Sequence, residues 1–243
     1  MSAINVEVGD DVPAGRPPIT RHRYALPLYG LAAIITLVVV GRLLLGASGH
    51  PFAFDRSIHG WFLDHRSARL TTFMNVVSDA ASSVTVVPIA VGVLIIGIVR
   101  HRMRDFAFFL LATLGGQLVS YSIKVSIDRP RPPLLDRLVS IQDPSWPSGH
   151  SVQVVVCYGG LAVLAHRWSN GRIPKGVLAA LAVLAALLVG SSRLYLGVHW
   201  PSDVATGWLL GAAWLSVAWA LVLKVPAAQS SKTAAAQTPE TAH

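Results

Sequence analysis

The chain has 243 residues, 53% of them hydrophobic and only 13% charged, with a net charge of +8 from 20 Lys and Arg against 12 Asp and Glu. A soluble domain usually carries about 25% charged residues, so the balance argues against a soluble globular protein. The basic residues lie mostly at the ends of apolar runs, which assigns them to membrane topology and lipid headgroups and excludes nucleic acid as the partner.

Residues 1–22 are polar and include Pro13, Gly15, Pro17 and Pro18, which predicts a largely disordered tail. The tail lacks the apolar core and cleavage site of a removable leader, so the first apolar run, residues 26–45, is expected to be a retained anchor. Residues 51–82 differ in kind. Phe54, Ile58, Trp61 and Phe62 recur at helical spacing, as do Leu70, Phe73, Met74 and Val77, with Asp55, Arg56, Asp64, Arg66 and Arg69 between them. This predicts one or two amphipathic helices at the membrane interface. A packing collar is the favoured role, and a lateral gate for lipid is the other.

Five more apolar runs follow, at about 84–99, 106–123, 147–164, 177–190 and 201–223. The lone Cys157 lies within one of them, excludes an internal disulfide and reads as a small packing residue. The expected fold is all-α: a polytopic bundle of six transmembrane helices over residues 23–224, with a disordered Ala/Thr/Gln-rich tail at 225–243. Six spans put Arg16, Arg21, Arg23, Arg100, Arg102, Arg104, Arg167, Arg172, Lys175, Lys224 and Lys232 on one side. The positive-inside rule makes that side cytoplasmic, and both termini with it, in a cell membrane. Lys124, Arg129, Arg131, Arg137 and Arg193 fall on the opposite side, against that rule. A phosphate site there accounts for them.

Three stretches supply the parts of such a site: Lys124-x6-Arg131-Pro132, Pro147-Ser148-Gly149-His150, and Ser192-Arg193-x5-His199-x3-Asp203. Phosphoryl transfer depends mainly on positioning and on stabilising the charge spread over the phosphate oxygens. Lys124 is a point charge, and Arg131 and Arg193 are planar forks that can each hold two oxygens. Pro147 suits the first turn of a helix, whose unpaired N–H groups at Ser148, Gly149 and His150 form an anion site. His150 can protonate a leaving oxygen. Asp203, in the first turn after Pro201, can hold one ring nitrogen of His199 and leave the other nucleophilic. Taken singly, the cations read as headgroup anchors and the histidines as interfacial residues. Six spans bring all three stretches to one face.

These stretches resemble the three signature motifs of the type 2 phosphatidic acid phosphatase (PAP2) superfamily, at every motif position from Lys124 to Asp203. The resemblance implies that His199 is the nucleophile, Asp203 orients it and His150 is the general acid. It also implies that Lys124, Arg131, Ser148, Gly149 and Arg193 bind phosphate, with no cofactor and no metal. The expected activity is hydrolysis of a lipid phosphate or diphosphate at the extracytoplasmic face through a phosphohistidine. A polyprenyl (undecaprenyl or decaprenyl) diphosphate is the preferred substrate by family analogy. Phosphatidylglycerophosphate and phosphatidic acid stand as alternatives. A transporter or anion channel with a basic vestibule is the alternative from another class. The sequence specifies no oligomeric state.

Overall fold

The structure, a computed structural model, describes residues 25–45 and 49–224. The two predicted disordered tails, with Arg16, Arg21, Arg23 and Lys232, lie outside the described residues. Eight α-helices follow in chain order: α1 Ala25–Leu45, α2 Ala53–Asp64, α3 Ala68–Asp79, α4 Ser83–Val99, α5 Met103–Ile127, α6 Gly149–Trp168, α7 Lys175–Tyr195 and α8 Pro201–Trp219. A short 3₁₀ turn, Leu134–Asp136, lies in the loop after α5. No strand occurs among the described residues.

Local chemistry sets the ends of these helices. Ser67 caps α3 by accepting from the Leu70 amide at 3.4 Å. Asp128 ends α5 in the left-handed region, φ 51°, and its amide returns to the Lys124 carbonyl. Pro201 opens α8 at the first turn, as expected. Ser148 rather than Pro147 stands at the start of α6, which begins at Gly149. Pro147 thus precedes the helix instead of occupying its first turn.

Among the described residues, five stretches are long and apolar enough to cross a membrane: Pro27–Leu44, Ala68–Val99 (α3 with α4), Met103–Ile127, Lys175–Tyr195 and Pro201–Leu223. The 20-residue α6 is not among them, because His150, Ser151, Gln153, His166 and Arg167 crowd its two ends. Its position explains why it tolerates them. It runs through the middle of the bundle, packed on α5, α7 and α8, and Val152, Val154, Val156, Cys157 and Leu164 are fully buried. A helix enclosed by protein need not be apolar all round, whereas α1, α4 and α7 turn Leu, Ile and Val outward.

The ends of α5 and α7 and the starts of α6 and α8 meet at one end of the bundle. The Ser148 amide donates to the Asp203 carbonyl at 3.0 Å, joining the start of α6 to that of α8. A Cβ at Gly207 would lie 2.7 Å from the Ser148 carbonyl oxygen, so glycine lets α8 press directly on that turn. At the other end, Asp105 at the start of α5 accepts from Arg167 and Trp168 at the end of α6.

The helix starts are pinned by one buried cation. Arg129, 1% exposed, leaves the end of α5 and points into the interior. It donates to Asp55 of α2 at 2.8 Å and to Asp203 of α8, and both carboxylates are fully buried. Each carboxylate also caps its own helix, Asp55 accepting from the Phe52 amide and Asp203 from the Trp200 amide. Asp55 further accepts from Ser202, from its amide at 2.9 Å and its hydroxyl at 2.7 Å. One guanidinium therefore ties α2, α5 and α8 together.

Removing one partner of a buried ion pair leaves an uncompensated charge, at a cost of about 3–5 kcal/mol. Arg129→Ala is accordingly expected to lose about that much stability in denaturant unfolding of the detergent-solubilised protein. A loss under about 1 kcal/mol would contradict the pinning role. Gly207→Ala should cost about 1–3 kcal/mol by overpacking. Gly60→Ala, where nothing lies within 4 Å of the added Cβ, should be neutral or slightly stabilising.

Candidate active site

A cavity of about 250 Å³ opens where α5, α6 and α7 meet the loops. Lys124, Arg131, Asp143, His150, Arg193 and His199 line it, with Gln117, Ser120, Tyr121, Ile141 and Gly149 filling the rest of the wall. Six of the eight residues predicted from sequence thus reach one cavity: Lys124, Arg131, Gly149, His150, Arg193 and His199. The other two, Ser148 and Asp203, stand behind its wall and hold it in shape.

The loop before α8 sets the position of His199. Gly197 has φ +71°, and a Cβ there would lie 2.2 Å from the Asp136 carbonyl oxygen, so the tight approach requires glycine. The Arg131 guanidinium donates to the Val198 carbonyl at 2.6 Å and lies 3.1 Å from His199 Nε2. His199 Nδ1 faces Asp203 Oδ2 at 3.4 Å. That carboxylate also accepts from the Ser145 hydroxyl and the Trp200 amide. Several donors at once therefore fix Asp203 beside His199 Nδ1. His199 is only 2% exposed. Burial, followed by the charges of Arg131, Lys124 and Arg193, pushes its pKa well below the ordinary imidazole value and keeps the ring neutral.

The α6 start supplies the opposite wall. Ser148 is fully buried and accepts from the Ser151 amide as the helix cap. A Cβ at Gly149 would meet only ordinary contacts, Gln117 Oε1 at 3.5 Å and Lys124 Cε at 3.9 Å. The first amides of a helix have no intrahelical acceptor, so this turn faces an anion favourably.

The three cations differ in their partners. Lys124 donates to Asp143 Oδ2 at 2.8 Å and to the Pro144 carbonyl at 2.7 Å. Arg131 donates to Asp143 Oδ1 at 2.9 Å and to the Asp143 carbonyl at 2.7 Å. Arg193, 3% exposed, donates to the Ser78 hydroxyl at 2.5 Å, while its Nε and Nη2 atoms are buried without a hydrogen-bond partner. Two unsatisfied guanidinium donors in the wall of a cavity are a ready fork for two oxygens of an anion.

Sequence reasoning did not single out Asp143, Ser145, Asp55 or the structural role of Arg129. Asp143 carries a faint signal as a carboxylate in an otherwise basic loop. Arg129 carries one as a second arginine two residues before Arg131. Neither signal indicates its partner, because Asp55 is 74 residues from Arg129 in sequence.

A second cavity, of about 270 Å³ and chiefly apolar, lies between α4, α5 and α6. Val86, Val87, Ala90, Leu110 and Leu114 form its walls, and Gln117 belongs to both cavities. Val87 and Leu114 are more than half exposed, so this groove opens on the outer, apolar surface of the bundle.

Comparison with known proteins agrees with this geometry. Residues 105–226 match the PAP2 superfamily. The chain is 30% identical over 175 residues to phosphatidylglycerophosphatase B of Bacillus subtilis, a match covering 70% of this chain and 85% of that protein. It is 40% identical over 74 residues to an undecaprenyl-diphosphatase of Sulfolobus acidocaldarius, covering 30% of this chain and only 31% of that protein. Among solved structures, it resembles a transmembrane PAP2 type phosphatidylglycerolphosphate phosphatase from Bacillus subtilis, with a TM-score of 0.69 and 25% identity over 85% of this chain and 100% of that one. The fold is also shared with Aquifex aeolicus LpxE, with a TM-score of 0.57 and 24% identity over 69% of this chain and 95% of that one. The motif-bearing half of the chain, the longer sequence match and the helical architecture agree: this chain belongs to the PAP2 superfamily.

Proposed function

We propose that this membrane-embedded lipid phosphate phosphatase works without a metal, at the extracytoplasmic face, through a phosphohistidine on His199. The observation that carries the reading is the convergence of three cations on the neutral, buried His199, with two donors of Arg193 left unpaired. A phosphate held by Lys124, Arg131 and Arg193 would present phosphorus to His199 Nε2. The bond from Nε2 to phosphorus forms as the bond to the leaving oxygen breaks, and His150 gives that oxygen its proton. Water, deprotonated by His150, then breaks the nitrogen–phosphorus bond and frees inorganic phosphate. The protein's own cations supply the positive charge that a metal ion supplies in other phosphatases.

The apolar groove that shares Gln117 with the polar cavity supports a lipid substrate. Its chains would lie in the groove while the headgroup reaches the cations. The preferred substrate is a polyprenyl diphosphate, undecaprenyl or decaprenyl. Phosphatidylglycerophosphate is the second reading, favoured by the longer of the two sequence matches; phosphatidic acid carries the same monoester. In this topology α6 completes the six spans, packed among α5, α7 and α8, α2 and α3 lie at the membrane interface, and both termini are cytoplasmic.

Purified protein in EDTA should release phosphate from one of these three lipids. His199→Ala should reduce kcat by about 10³-fold or more while leaving the thermal transition unchanged. Strict dependence on Mg²⁺, or full activity in the variant, would contradict the mechanism. The pH dependence follows from the direction of the His199 shift. The ring must be neutral to attack, and its pKa in the free enzyme lies well below the ordinary value. The acid limb of kcat/KM is therefore expected below pH ~6.5, the value of free imidazole. A limb at or above that pH would assign the proton to another group.

A further inference from the structure

We propose that Asp143 is a built-in carboxylate that occupies the phosphate-binding cations and thereby sets the charge a headgroup needs to displace it. The inference rests on the phosphate site described above and makes Asp143 a specificity-determining residue of it. Its two carboxylate oxygens are shared between two cations, Oδ2 on Lys124 at 2.8 Å and Oδ1 on Arg131 at 2.9 Å. A phosphate oxygen pair would engage the same two donors. The carboxylate is stabilised there. Burial alone would raise its pKa, but the hydrogen bond and charge of Lys124, followed by Arg131, outweigh that and hold it below the usual carboxylate range.

Two features make this carboxylate displaceable. Its side chain is 41% exposed, and it sits in the irregular loop before α6. The cations, in contrast, have separate backbone anchors. Lys124 also donates to the Pro144 carbonyl, and Arg131 to the carbonyls of Asp143 and Val198. If the carboxylate rotates outward, Lys124 and Arg131 stay in place. Asp143 therefore competes with an incoming anion without being needed to position the site.

Charge then decides what can enter. Lys124, Arg131 and Arg193 carry three positive charges, and Asp143 offsets one. A phosphodiester headgroup has one negative charge, so its exchange for the carboxylate replaces one monoanion by another and gains little Coulomb energy. A monoester dianion or a diphosphate brings more charge and gains more. A bilayer contains a large excess of monoanionic diester lipids, which three uncompensated cations would also attract. Asp143 would keep these lipids, and any diester product, from filling the site.

The test measures binding independently of turnover. Wild type, Asp143→Asn, Asp143→Ala and Asp143→Glu would be titrated with inorganic phosphate by calorimetry in detergent. Phosphatidylglycerol, a diester, would be added in mixed micelles as a competitor. The Asn and Ala variants should bind phosphate roughly five- to tenfold more tightly, the size expected of two partly exposed ion pairs. They should also become sensitive to the diester, while the Glu variant stays near wild type. With a lipid monoester substrate, both KM and kcat should fall in the Asn variant, because product phosphate leaves more slowly. Unchanged or weaker phosphate binding in the folded Asn and Ala variants would overturn the proposal. If wild-type protein binds phosphate but hydrolyses no lipid, the phosphatase reading fails while the binding comparison still decides the role of Asp143.

Discussion

The structure depends on a single cation, Arg129, held out of water between two carboxylates. Burying charge is costly unless it is paired and hydrogen-bonded, and an arginine between two aspartates leaves one negative charge over. Neutral donors offset that remainder. Asp55 accepts from the Phe52 amide and from both the amide and the hydroxyl of Ser202. Asp203 accepts from Ser145 and the Trp200 amide. These donors come from the first turns of α2 and α8 and from the loop before α6. Satisfying the charge therefore brings together the segments that frame the cavity. The carboxylate beside His199 Nδ1 is the same one that anchors this network.

The cavity shows a second division of charge. Its cations come from the end of α5, from the following loop and from the end of α7, while the ring that would accept phosphorus is kept neutral by burial and by those same cations. A positive environment that suppresses imidazole protonation would also attract a phosphate. In the proposed mechanism one arrangement then serves both binding and nucleophilicity. The adjoining apolar groove extends the site toward the outer surface of the bundle, where hydrocarbon chains would be expected.

Much of this was legible in the sequence because membrane helices and motif spacing leave strong local signals. The apolar runs gave α1, α4, α5, α7 and α8 to within a few residues at most ends, and α2 and α3 followed from their amphipathic spacing. Six of the eight predicted site residues line one cavity, since alternation of the helices brings the ends of α5 and α7 beside the starts of α6 and α8. What stayed hidden was long-range or enclosed. Arg129 looked like another loop cation because its partners are Asp55 and Asp203, far away in sequence. Asp143 lies between motifs, and only the fold brings it to Lys124 and Arg131. Of the six predicted spans, α6 is the one that is not long and apolar enough to count as a candidate span among the described residues, because its ends are polar. The cap that the buried Ser148 hydroxyl gives α6 also shows only in the fold.

The stereochemical course at phosphorus tests the central claim most directly. It would be followed with a lipid phosphate made chiral by oxygen isotopes, hydrolysed in isotopically distinct water. Transfer to His199 and then to water involves two in-line displacements, each inverting the phosphorus, so net retention is the expected result. Net inversion would mean that water attacks the lipid phosphate directly, and His199 would then be a base rather than the nucleophile.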